Sequence, residues 1–144
     1  MTGDDLYQAE IVTRAKAGAG DSRLDPRDAR AEVDNPLCGD RIVLDLRLAG
    51  DGRISEMGHR TRGCALCQAS AQTLRLCIGG SDPADAKAQR EAVAAFLTEG
   101  TQLPERLGAF AAFAPVRAYR SRHSCVLLPL DAFVQAAVSG KPDA

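Results

Sequence analysis

Tryptophan is missing from this chain, and aromatic side chains make up only 4% of its 144 residues. With so few rings, a surface on which bases of a single-stranded nucleic acid would stack is not expected. An excess of positive charge is missing too. Eighteen basic residues face 19 acidic ones, for a net charge of −1, so the chain as a whole has no electrostatic claim on nucleic acid. No apolar run approaches the ~18 residues that a membrane span needs, so no membrane partner is expected. The opening Met1-Thr2-Gly3-Asp4-Asp5 is acidic and polar, unlike a secretory signal. A cytoplasmic protein is the expectation. The length suits a single domain over residues 1–144, with a core large enough to need no disulfide staples.

What is present is a readable order of elements. Residues 4–17 form an amphipathic pattern, with Leu6, Ile11, Val12 and Ala15 near one face, and Gly18 and Gly20 end it. The charged stretch 21–34 holds room for a short strand just before Asn35-Pro36. Arg41 to Ala49 alternates, placing Ile42, Leu44, Leu46 and Leu48 on one side. Ala49-Gly50-Asp51-Gly52 reads as a hairpin turn, and Arg53 to Thr61 as the returning strand. A helix is expected from Cys64 to Cys77, closed by Gly79-Gly80. A second is capped by Asp82, with Pro83 at its first position, Val93, Phe96 and Leu97 as its buried stripe and Gly100 at its end. A helical turn is expected around 104–110. A last helix runs from near Cys125 to Gly140, with Leu130, Phe133, Val134, Ala137 and Val138 on its apolar face and Pro129 early in it. The order predicts an α+β fold: a small antiparallel sheet of about three strands, covered by helices on one side.

Five cysteines cannot all pair with one another, and in a reducing compartment metal binding, catalysis or burial are the usual uses. Cys38-Gly39-Asp40 sets a thiolate and a carboxylate two residues apart after a proline turn. Cys64 starts a helix and Cys125 lies near the start of another, where the helix dipole favours thiolate. Three thiolates with the Asp40 carboxylate make a tetrahedral set that zinc accepts. Soft thiolates equally suit an iron–sulfur cluster. Cys67 and Cys77 read as small buried hydrophobes. Cys64-Ala65-Leu66-Cys67 also has a redox-pair spacing, although no βαβ pattern surrounds it. Arg117, Arg120 and Arg122 read as solvated surface, with attraction of an acidic partner as the alternative.

Taken together, the stretches Asn35-Pro36-Leu37-Cys38-Gly39-Asp40, Asp51-Gly52-Arg53-Ile54, Gly63-Cys64-Ala65-Leu66 with Ala69-Ser70-Ala71, and Arg122 three residues before Cys125 resemble the IscU/SufU/NifU-N-terminal family of iron–sulfur cluster assembly proteins. The likeness covers about residues 4–140. The insertion of the 82–100 helix between Cys64 and Cys125, and the lack of a Leu-Pro-Pro-Val-Lys stretch before Cys125, favour the SufU-like branch. The resemblance implies that Cys38, Asp40, Cys64 and Cys125 hold zinc. It also implies that Cys38, freed from zinc when a SufS-type cysteine desulfurase docks, accepts persulfide sulfur, with Cys125 as the alternative acceptor. Its other implication is a scaffold on which Cys38, Cys64 and Cys125 bind a [2Fe–2S] cluster destined for apo iron–sulfur proteins or other assembly proteins. Whether the protein is an enzyme, a zinc-dependent sulfurtransferase, or a non-enzymatic scaffold follows from which implication holds. Three residues depart from the family pattern. Ser124 precedes Cys125 where histidine or lysine is usual, which leaves His123 one place back with its ring directed elsewhere. His59 stands where an aromatic is usual and reads as a core or surface replacement. Cys67 is the third.

Overall fold

The computed structural model describes residues 8–36 and 39–139. Helix α1 (Ala9–Gly18) leads into a sheet of three strands, β1 (Ala29–Asn35), β2 (Asp40–Leu48) and β3 (Ile54–Arg62). These pair antiparallel in the order β1-β2-β3. Helices α2 (Ala65–Cys77), α3 (Ala86–Glu99) and α4 (His123–Ser139) follow, with 3-10 segments at Pro83–Asp85, Glu105–Ala118 and Arg120–Arg122. The α+β expectation holds. Residues 4–7 of the first expected helix, and Gly140 at the end of the last, lie outside the described residues.

Alternation builds the sheet's inner face. Ile42, Leu44 and Leu46 of β2 sit opposite Thr61, His59 and Met57 of β3, and opposite Val33, Ala31 and Ala29 of β1. The three β2 residues are buried, and α4 packs over β1 and β2 while α2 packs on β3. At about 25 cal/mol per Å² of apolar surface removed from water, this face and the helices on it supply the bulk of the folding drive. The strand expected before Asn35 is a full seven residues, its outward Arg30, Glu32 and Asp34 having disguised it as a charged loop. The β2–β3 hairpin turns where Gly52 takes φ +84° and donates its N–H to the Ala49 carbonyl at 2.9 Å.

Three helical features differ from the sequence pattern. The stretch Glu105–Ala118 is a 14-residue 3-10 segment rather than a single turn. Its buried residues Leu107, Phe110, Phe113 and Val116 recur every third position, the spacing at which 3-10 side chains stack in one row. Helix α4 begins at His123, so Pro129 lies inside it and the helical ladder skips a rung there. Val138, assigned to the apolar face, is 71% exposed. Asp82 accepts from the Ala84 N–H at 2.9 Å, capping the 3-10 segment Pro83–Asp85 that leads into α3 rather than α3 itself, and Gly100 ends α3 with φ +73°. No helix among the described residues is long and apolar enough to cross a membrane.

Candidate metal centre

Three elements begin at one end of the molecule, and each brings a metal-ligating side chain to the same point. Asp40 is the first residue of β2. A turn returns the chain from β1, with Asn35 paired to Asp40 and the Gly39 N–H donating to the Asn35 carbonyl at 2.8 Å. Gly39 takes φ +74°, a left-handed conformation that favours glycine. Cys64 is the N-cap of α2, with extended backbone angles. Cys125 lies in the first turn of α4. One donor atom from each of Asp40, Cys64 and Cys125 lies within 4.8 Å of the other two. Asp40 and Cys125 are buried and Cys64 is partly exposed, which leaves one side of the group accessible. Cys38, the fourth residue expected here, lies outside the described residues.

The electrostatics favour ligation. The Cys64 thiol donates to Asp40 Oδ2 over 3.6 Å. Once ionised, Cys64 accepts from the Cys125 thiol, which pulls its pKa down to about 7; backbone N–H groups of Cys67 and Leu66 at the helix start help. Burial and the Asp40 carboxylate oppose that shift without reversing it. The donor set, two sulfurs and a carboxylate oxygen converging from rigid elements, fits zinc, which takes such mixtures in four-coordinate sites. A fourth ligand would complete the set.

Two residues that stood in the recognised stretches without an assigned role hold this geometry. A Cβ on Gly63 would stand 2.6 Å from Asp40 Cγ and 2.7 Å from Oδ1, so only glycine lets the carboxylate lie against the chain just before Cys64. The available signal was a glycine directly before a helix-capping cysteine. Buried Ser70 of α2 donates to the Val126 carbonyl at 2.5 Å, fixing α2 against the turn of α4 that carries Cys125.

The remaining sulfurs and imidazoles lie elsewhere. Cys67 is fully buried in the core, as read from the sequence. Cys77, read as buried, is only partly so, beside an exposed Leu76. None of the four described cysteines is in a disulfide. His123 Nε2 sits 3.2 and 3.1 Å from the carbonyls of Val116 and Arg117, so its ring is engaged away from the Asp40–Cys64–Cys125 group. His59 is a core residue. Its Nδ1 is 2.8 Å from Thr61 Oγ1, its Nε2 is buried without a hydrogen-bond partner, and burial, aided by the Arg75 charge, lowers its pKa to about 4.

The family model described as NifU-like N terminal domain matches residues 6–126. The chain belongs to that family. It is 32% identical over 79 residues to the zinc-dependent sulfurtransferase SufU of Bacillus subtilis, a stretch that covers 55% of this chain and 52% of that protein. A 43-residue stretch, 30% of the chain, is 42% identical to the bifunctional protein NifU/MnmA of Rubrobacter xylanophilus and spans 9% of it. The chain thus spans about half or less of the curated relatives it matches. The crystal structure of the N-terminal part of a nitrogen-fixing NifU-like protein from Brucella abortus is 31% identical. It covers 96% of this chain and 98% of its own, with a TM-score of 0.82.

Proposed function

We propose that the chain is a zinc-holding sulfur acceptor in iron–sulfur cluster assembly, taking persulfide sulfur from a SufS-type cysteine desulfurase in the cytoplasm as a single domain. The convergence of Asp40, Cys64 and Cys125 at one accessible end carries this reading. The likeness to a zinc-dependent sulfurtransferase supports it. Asp40, Cys64 and Cys125 are three of the proposed ligands, and Cys38, two residues before Asp40 in sequence, is the fourth. Bound zinc would hold its thiolates deprotonated and tie the three element ends together.

Cys38 is also the proposed acceptor. Its thiolate attacks the outer sulfur of the desulfurase persulfide. A new S–S bond forms on Cys38, the old S–S bond breaks, and the pair of electrons leaves on the desulfurase thiolate. Cys125, the alternative acceptor, is 1% exposed, which argues against direct attack from it. Cys64, with its lowered pKa and partial exposure, keeps a thiolate at the site near neutral pH.

The test is alanine release by a purified cysteine desulfurase. Wild-type chain should stimulate it, and Cys38→Ala should remove the stimulation while the protein stays folded. Stimulation that persists in Cys38→Ala overturns the acceptor assignment. Membership of the family supports a second reading, in which Cys38, Cys64 and Cys125 hold a [2Fe–2S] cluster for transfer to apo-proteins. Anaerobic reconstitution should then give charge-transfer absorption that Cys64→Ala abolishes.

A further inference from the structure

The helices cover one face of the sheet, and the outward side chains of the other face fall into rows across the strands. One row is Arg30, Asp45 and Gly58; the next is Glu32, Val43 and Arg60; the last is Asp34, Arg41 and Arg62. The first row is closed. Asp45 is fully buried and accepts from Arg30 at 2.6 and 3.0 Å and from the Leu24 N–H at 2.9 Å. The segment through Ser22 crosses directly over Gly58, where a Cβ would lie 2.0 Å from the Ser22 carbonyl.

The other two rows are open and carry surplus positive charge. Arg41 and Arg62 are register partners, two guanidinium side chains facing each other on one sheet surface. Like charges so placed destabilise a sheet. Arg41 reaches Glu32 at 3.2 Å and Asp34 at 3.6 Å, both exposed pairs of little energetic weight. Arg62 is exposed and forms no ion pair among the described residues. Arg23, Arg41, Arg60 and Arg62, with Glu32 and Val43, line a groove of about 280 Å³. Asp21 holds Arg23 at 2.8 and 2.6 Å, which leaves Arg41, Arg60 and Arg62 against Glu32 and Asp34, so the groove keeps an excess of positive charge in a chain whose net charge is −1. It lies at the strand ends that carry the ligands, since Arg41 follows Asp40 and Arg62 precedes Gly63-Cys64.

We propose that this groove docks a carboxylate-rich segment of a partner protein beside the Asp40–Cys64–Cys125 group, with Arg41 and Arg62 as its anchors. Guanidinium forks match carboxylates two bonds at a time. Glu32 and Asp34 beside Arg41 each meet it through a single nitrogen, at 3.2 and 3.6 Å, and an incoming carboxylate that engages the whole fork takes their place. No aromatic residue lines the groove to stack a base, which disfavours a single-stranded nucleic acid as its occupant. Docking here holds a partner at the rim of the site, and the charge speeds the encounter at low salt. The docking stands on the groove alone; that the partner is the persulfide donor rests on the function proposed above.

The test is fluorescence anisotropy with a labelled peptide of repeated Asp-Glu-Ala units, and its Asn-Gln-Ala counterpart as control. The wild-type chain should bind the acidic peptide, more weakly as salt rises, and not the amide. The double variant R41E/R62E should lose about tenfold or more in affinity. K87E, the same kind of charge change at an exposed position on α3, should lose far less. Single R62E relieves the Arg41–Arg62 repulsion and should melt no lower than wild type, so lost binding there is not lost folding. Equal losses in R62E and K87E, or tighter binding of a single-stranded oligonucleotide than of the peptide, overturn the proposal. Wild-type protein that carries metal but does not bind the peptide overturns the groove proposal; wild-type protein that binds the peptide but carries no metal upholds the groove and overturns the proposed function instead.

Discussion

The two ends of α2 carry the same side chain and give it opposite character. At the N-terminal end Cys64 caps the helix, receives the Cys125 thiol and two backbone N–H groups, and is drawn down to about pKa 7. At the other end Cys77 is pushed up by burial, only partly offset by the nearby Arg14 and Arg106 charges. Arg106 donates there to the Gly79 carbonyl at 2.9 Å, serving the last turn of the helix rather than the sulfur. The contrast is set by the donors that surround Cys64 and by the burial that Cys77 meets without them. Surroundings likewise separate Asp40, aimed at the sulfurs, from Asp45, closed off by Arg30 on the opposite face of the same strand.

The largest effect expected from breaking this contrast is at Gly63. Gly63→Ala drives a methyl into the Asp40 carboxylate and should lower zinc affinity by about 10- to 100-fold, as loss of ligand support commonly does. Competition with a chromophoric chelator reads this directly, and an unchanged affinity would show that Asp40 is not held by that contact. Cys77→Ser should leave the affinity where it was.

Acid sharpens the comparison next. His59 has a folded pKa of about 4 against an ordinary value of 6.5. Below pH 6.5 the unfolded chain takes up a proton that the folded chain refuses, so stability falls as pH drops from 6.5 towards 4, by on the order of 3 kcal/mol. His59→Leu should flatten that slope in urea titrations; an equally steep slope in the variant would move the effect elsewhere. The loss from Cys64 begins higher, as its thiolate protonates below about pH 7, so ligand loss and core loss separate along the pH axis. The smallest effect is kinetic. In metal-free protein, iodoacetamide should label Cys64 with a midpoint near pH 7 and Cys77 only at distinctly higher pH. Labelling in the reverse order would break the account of the two helix ends.

Much of this was legible in the residues. The alternation of Ile42, Leu44 and Leu46 gave the central strand because one sheet face is buried and the other is not. Asp40, Cys64 and Cys125 stood out because each falls at an element's start, where side chains from distant parts of the chain can meet. β1 was half hidden because its outward residues are charged, and only Ala29, Ala31 and Val33 mark its inward side. The long 3-10 segment was missed because its three-residue period, Leu107 to Val116, falls between the strand and α-helix periods. Gly63 stood in a recognised stretch, but its contact with Asp40 and the orphaned His59 Nε2 could not be read, since each is defined by what packs against it from elsewhere in the chain.

The central claim is that the three converging residues are a metal site and that the sulfurs further along α2 are not. Metal content after purification without chelator tests it in one experiment on wild type, Cys64→Ser, Cys125→Ser and Cys67→Ala. Wild type and Cys67→Ala should each carry about one equivalent of zinc, and the two serine variants well under half of that. Full zinc in Cys64→Ser, or its loss in Cys67→Ala with Cys64 intact, would contradict the account.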